Sequence, residues 1–172
     1  FIFMQFFGVD ERTVSENSPS LLYPGTFTWE KSDGTTEEIT VPGSYDVPAG
    51  ETMVITSTLP ADFDASSIAI RSSLQDINIY IDGTLREQYS TSKTRLIGKN
   101  SASRFIFCST SHEDAGKELR IELTTYTSNY SGVVNQIFCG DKADIWQLIF
   151  NHYGLATYIA FFTLFAGLTT IL

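Results

Sequence analysis

The stretch INIYIDGTLREQY sets Ile77, Ile79 and Ile81 at every second position and breaks at Asp82-Gly83. Such alternation lines one face of an extended chain with apolar side chains, and Asp-Gly supplies the positive φ angles of a tight hairpin. A chain written this way is committed to antiparallel sheet. The same period recurs in SIAIRSS (Ile68, Ile70) and in ELRIELTTY, where Leu119, Ile121 and Leu123 share a face, and RFIFC (Arg104 to Cys108) reads as a further strand. TFTWE and EEITV flank KSDGTT as a second hairpin about Asp33-Gly34. TMVITSTL is β-branched and stops at Pro60, and VVNQIFC reads as one last strand. No sustained helical period occurs before Asp141. Roughly eight or nine short strands with turns between them predict an all-β domain, an antiparallel β-sandwich of jelly-roll type.

The end of the chain follows a different rule. Ile145 to Leu172 contains no Asp, Glu, Lys or Arg. Within it, residues 154–172 would make a helix of roughly 28 Å, close to the roughly 30 Å hydrocarbon core of a bilayer. This predicts a transmembrane helix that continues beyond the chain, preceded by a juxtamembrane helix over 141–153. That segment offers Trp146 and Tyr153 to the headgroup layer. FIFMQFFGV, residues 1–9, is apolar apart from Gln5 and is expected to be the end of another transmembrane helix, with 10–20 as a polar linker. All 31 charged residues lie between Asp10 and Asp144. The expected organisation is therefore one β domain over 21–140 held between two spans. Few Lys or Arg flank the spans on the domain side, Arg12 and Lys142 being the near ones, so residues 10–144 are expected on the extracytoplasmic side of a cell membrane. A net charge of -9 with scattered cations excludes a nucleic-acid partner.

Chemistry is sparse. CSTSHEDAG (Cys108 to Gly116) holds Ser, His and Asp, but neighbours on one turn point in different directions, whereas a catalytic triad converges from separate elements. Cys108, His112, Cys139 and Asp141 lack the short paired spacing of metal ligands. No catalytic residue, metal or cofactor is expected. Cys108 and Cys139 end the parallel phrases FIFC and QIFC and read as two buried thiols. The alternative is a disulfide closing the 30 intervening residues, open to an extracytoplasmic protein. In TYTSNYSG, Tyr126, Asn129 and Tyr130 follow no core alternation and are the candidate ligand-binding residues, offering rings to stack and an amide for hydroxyls. The loop STSKTRLIGKNSAS, with Lys93, Arg95 and Lys99, reads as a solvated loop.

The order SLQDINIYIDG, SASRF, DAGKELRIELT and SGVVNQIFCGD, leading into apolar helices, resembles the galactose-binding-like jelly roll. More narrowly, it is similar to the extracytoplasmic sensory β-sandwich of bacterial multi-span membrane signalling proteins. The resemblance covers about residues 20 to 172. It implies signal transduction from an extracellular small molecule, such as a carbohydrate, or a protein. The signal would pass through the bilayer to a cytoplasmic output domain, often a GGDEF diguanylate cyclase and sometimes a histidine kinase. A homodimer is expected because such outputs act as dimers. No catalytic residue carries over to this segment. The alternative reading is a membrane-anchored carbohydrate-binding or adhesion module, which needs one anchor and tolerates a loose linker.

Overall fold

The computed structural model describes residues 21–91 and 100–171, with side chains given except at 153, 155, 156 and 171. The expected N-terminal span 1–9, the linker 10–20, the cations Lys93, Arg95 and Lys99, and the Tyr153 side chain lie outside the described residues.

Two antiparallel sheets enclose one core. The larger contains β1 (Phe27–Glu30), β2 (Thr36–Ile39), β4 (Thr52–Thr58), β6 (Asp76–Ile81), β7 (Thr84–Tyr89) and β9 (Glu118–Thr124), in the order β2-β1-β4-β9-β6-β7. The smaller runs β11-β5-β8, with β5 (Ser67–Arg71), β8 (Phe105–Ser109) and β11 (Ile137–Gly140). A two-residue ladder of β3 (Gly43–Ser44) on β10 (Val133–Val134) stands beside them. The hydrophobic alternation decides which face meets which. Ile55, Ile121 and Ile79 sit side by side in register on three neighbouring strands of the large sheet. Across the core they belong to one cluster with Ile68, Ile70, Ile106 and Ile137 of the small sheet, and all seven are at most 1% exposed.

Both hairpins form where the turn signals stand. Asp82 and Gly83 take φ of 51° and 70°, the two positive angles that a right-twisted hairpin requires. At the other turn the Asp33 carboxylate accepts from the Thr35 N–H at 2.8 Å, and Gly34 has φ 81°. VVNQIFC is not one strand: the chain leaves the β10 ladder at Asn135, whose amide donates to the Arg71 carbonyl and the Ser73 hydroxyl, and resumes as β11.

One helix, α1 (Lys142–Ile171), follows β11. Its parts Lys142–His152 and Thr157–Thr170 are set at 58° to one another, with Gly154 between them. Among the described residues no single helix is long and apolar enough to cross a membrane; these two parts pass that test only together. The first part packs on the outer face of the small sheet, where Ile145, Leu148 and Ile149 form a second cluster with Ala69 and Phe138, flanked by Leu21, Leu22, Phe105 and Phe107. This explains why SIAIR and RFIFC are apolar on both faces: the strands are covered on both sides.

One buried charge holds the periphery. Asp114, 1% exposed, accepts from Arg86 Nη2 of β7 at 3.0 Å, Lys117 Nζ at 3.1 Å and the Ser111 N–H at 3.1 Å. Burial alone would raise its carboxyl pKa, but the hydrogen bonds from Lys117 and Ser111 and the Arg86 charge outweigh it and hold the group below the usual range. A pKa lowered on folding contributes stability that is complete above the unfolded value of about 4 and is lost as pH falls through the folded value. Asp114→Ala is expected to cost about 2 kcal/mol at neutral pH, because a charged hydrogen-bond hub is lost while both cations can be rehydrated. Urea unfolding of both proteins across pH checks this, and the gap between them should close in acid.

Candidate functional site

The expected ligand residues lie at one end of the sandwich. Thr124 ends β9, and the chain then crosses between three other loops. The Thr125 hydroxyl donates to the Leu74 carbonyl at 3.0 Å, and its own carbonyl accepts from the Gly50 N–H at 2.7 Å. The Asn100 side-chain oxygen Oδ1 accepts the Tyr126 N–H at 3.1 Å, and its side-chain amide Nδ2 donates to the Thr127 hydroxyl. Ser128–Tyr130 forms one 3-10 turn. Beneath it Gln75, 1% exposed, donates to the carbonyls of Tyr130 at 3.4 Å and Val133 at 2.8 Å. At the far side the Ser131 hydroxyl donates to the Pro48 carbonyl at 3.1 Å, and Tyr45 donates its N–H to the Gly132 carbonyl at 3.0 Å.

The backbone of this loop is thus pinned while its side chains are presented. Tyr126 is 46% exposed and Tyr130 41%, with Asn129 exposed between them. Two rings on a fixed backbone lose little conformational freedom when a flat apolar surface stacks on them, and an amide beside them can take hydroxyl groups. The loop lies at the opposite end of the sandwich from the start of α1: Gly140 pairs with Ser67 at the beginning of β5, whereas Leu74 and Gln75 follow its end.

Gly132 is the keystone. Its φ is 71°, and a Cβ there would overlap the Tyr45 carbonyl oxygen. Gly132→Ala is expected to displace the loop from Tyr45 and raise amide hydrogen exchange in 125–132 well above that of the β strands. Asn100 and Gln75, which hold the loop, were not legible in the sequence. They act through side chain to backbone bonds across long separations, and no local spacing announces such bonds.

The cysteines are free thiols. Cys139 and Cys108 both pair with Ile68, one on each side of the central strand β5, so two strand spacings separate them, about 9–10 Å. A disulfide requires Cα atoms closer than about 7 Å. The disulfide alternative is thereby corrected. Burial pushes the Cys108 thiol up to about 11 and raises that of Cys139, which keeps both protonated and unreactive at neutral pH. Intact mass should be the same with and without reductant, and a gain of two hydrogens on reduction would contradict this. His112 sits in a separate 3-10 turn, and among the described residues no group of three His, Cys, Asp or Glu is placed to hold a metal.

Two other features are less suited to binding. On the outer face of the large sheet Glu122 already accepts from Tyr80, Asn78 and Arg120 at 3.0–3.1 Å, so its carboxylate is engaged, while the buried Arg120 Nε has no hydrogen-bond partner among the described residues. A cavity of about 250 Å³ at the open edge between the sheets has a mixed lining, with Thr26, Glu38, Thr40 and Gln136 beside Ile39 and Ile137, and its two rings, Tyr23 and Phe27, are buried in the core rather than presented. No protein-family model matches the chain, and no curated protein matches it.

Proposed function

We propose that this chain is the extracytoplasmic ligand-binding domain of a membrane signal transducer, a jelly roll of galactose-binding-like type that passes a binding event through α1 to a cytoplasmic output such as a diguanylate cyclase. The observation that carries the reading is the continuity of α1. Its first part is built into the fold through Ile145, Leu148 and Ile149. Its second part exposes Tyr158, Phe161, Phe162, Leu164, Phe165 and Leu168, each at least 57%. Apolar surface of that extent asks for a nonaqueous environment. A joint packed this closely transmits displacement; an adhesion module would need only a tether. The pinned Tyr126, Asn129 and Tyr130 give the domain its binding end, and that end equally suits the second reading, an anchored carbohydrate-binding module.

The ligand is expected to be a small neutral molecule with an apolar face, such as a saccharide. Titration calorimetry of the full chain in nanodiscs against a panel of mono- and oligosaccharides tests this. A saccharide that binds the native chain should lose most of its affinity with Tyr126→Ala or Tyr130→Ala while the melting temperature holds. Equal binding by the variants would remove the loop from the account.

A further inference from the structure

We propose that the outer face of the β11-β5-β8 sheet, with the first part of α1 lying on it, rests against the surface of the bilayer that the second part of α1 enters. The inference deepens the membrane reading above and rests on it.

Ile145, Leu148 and Ile149 face the sheet, and with 3.6 residues per turn Phe150 emerges on the other side of the helix while Trp146 lies at its flank, stacked on Phe107 of β8. Phe150 and Tyr158 are eight residues apart, about 12 Å along a straight helix, yet their ring centroids lie 5.7 Å apart, edge to face. Both rings therefore occupy the inside of the 58° bend. Gly154 lies there too, and a Cβ on it would meet the Phe150 ring at 3.3 Å. A bent helix departs toward its inner side, so the second part of α1 leaves on the side turned away from the sheet.

Run that second part into a bilayer and the inside of the bend points at the lipid. Phe150 then faces the membrane with Trp146 at the edge of the helix beside it, and the small sheet is turned toward the bilayer with α1 between. The side chains on this side fit a headgroup layer. Trp146 is 49% exposed and stacks on Phe107 at 5.1 Å. Lys142 Nζ lies 5.5 Å from the same Phe107 ring. Indole rings and lysines at the entry of a span are the groups that anchor at the membrane interface. The opposite, six-stranded sheet presents the Glu122, Asn78 and Arg120 cluster, which belongs in water. The tyrosine loop stays at an end of the sandwich, clear of the bilayer.

The chain holds two tryptophans, and Trp29 on β1 belongs to the sheet turned away. The full chain in phosphatidylcholine–phosphatidylglycerol vesicles, with quenchers attached either near the headgroup or at the acyl-chain end, separates the positions. In Trp29→Phe, the remaining Trp146 should lose its emission to the shallow quencher. In Trp146→Phe, Trp29 should keep its emission. In the double Phe background, the Phe162→Trp indole should lose its emission to the deep quencher. Quenching of the Phe162→Trp indole with Trp146 spared, or with Trp29 quenched as strongly as Trp146, overturns the surface contact and leaves the membrane reading standing. If the Phe162→Trp indole is spared by both quenchers, the membrane reading fails and the contact with it.

Discussion

Phe162→Arg is expected to oppose membrane insertion of α1 by about 3 kcal/mol, on the order of a hundredfold in the ratio of inserted to excluded helix. Phe162 is 74% exposed, near the middle of Thr157–Thr170, so no protein partner compensates the charge. An arginine there must either lie in hydrocarbon or pull the helix toward the surface. A reporter fused after Leu172 that is active only in the cytoplasm measures the effect: active for the native chain, silent for Phe162→Arg, active again for Phe162→Leu. Equal activity of all three would show that this segment does not insert.

Ile121→Ala is expected to destabilise the domain by about 3–4 kcal/mol. Ile121 sits at the crossing of the large sheet, opposite Ile55 on one side and Ile79 on the other, and all three are 0% exposed. The lost methyl groups would leave a cavity whose walls belong to strands paired on both edges, so the site has little room to collapse. Leu85→Ala, on the exposed β7 edge at 46%, should change stability by no more than about 0.5 kcal/mol. Urea unfolding followed by far-ultraviolet circular dichroism compares the two; similar midpoints would place the core elsewhere.

The sandwich was written in period two because water on one face and core on the other impose that period. Every inward residue named from the alternation, Ile77, Ile79 and Ile81 and then Leu119, Ile121 and Leu123, is buried, and the Asp82-Gly83 turn has the angles its residues favour. What stayed hidden is non-local or too short to be periodic. A two-residue ladder such as β3 on β10 has no period, and the Asn135 bonds that split VVNQIFC reach back more than 60 residues. CSTSHEDAG reads correctly as a turn, yet its buried Asp114 is defined by Arg86, 28 residues earlier. The change of composition after Tyr153 falls where α1 bends by 58°, between Lys142–His152 and Thr157–Thr170. The helix-covered face of the small sheet did leave a signal in the consecutive apolar residues of SIAIR and RFIFC; reading it requires knowing that an antiparallel strand without a polar face has something on both sides.

The measurement that bears most directly on a sensor facing outward is the side of the membrane on which the sandwich stands. Asp62→Cys places a thiol in the exposed turn between β4 and β5, and the native chain, with Cys108 buried and Cys139 half-buried, serves as the blank. A membrane-impermeant maleimide added to intact cells should label the variant as fully as it does after lysis. Labelling only after lysis would put the domain in the cytoplasm and contradict the account.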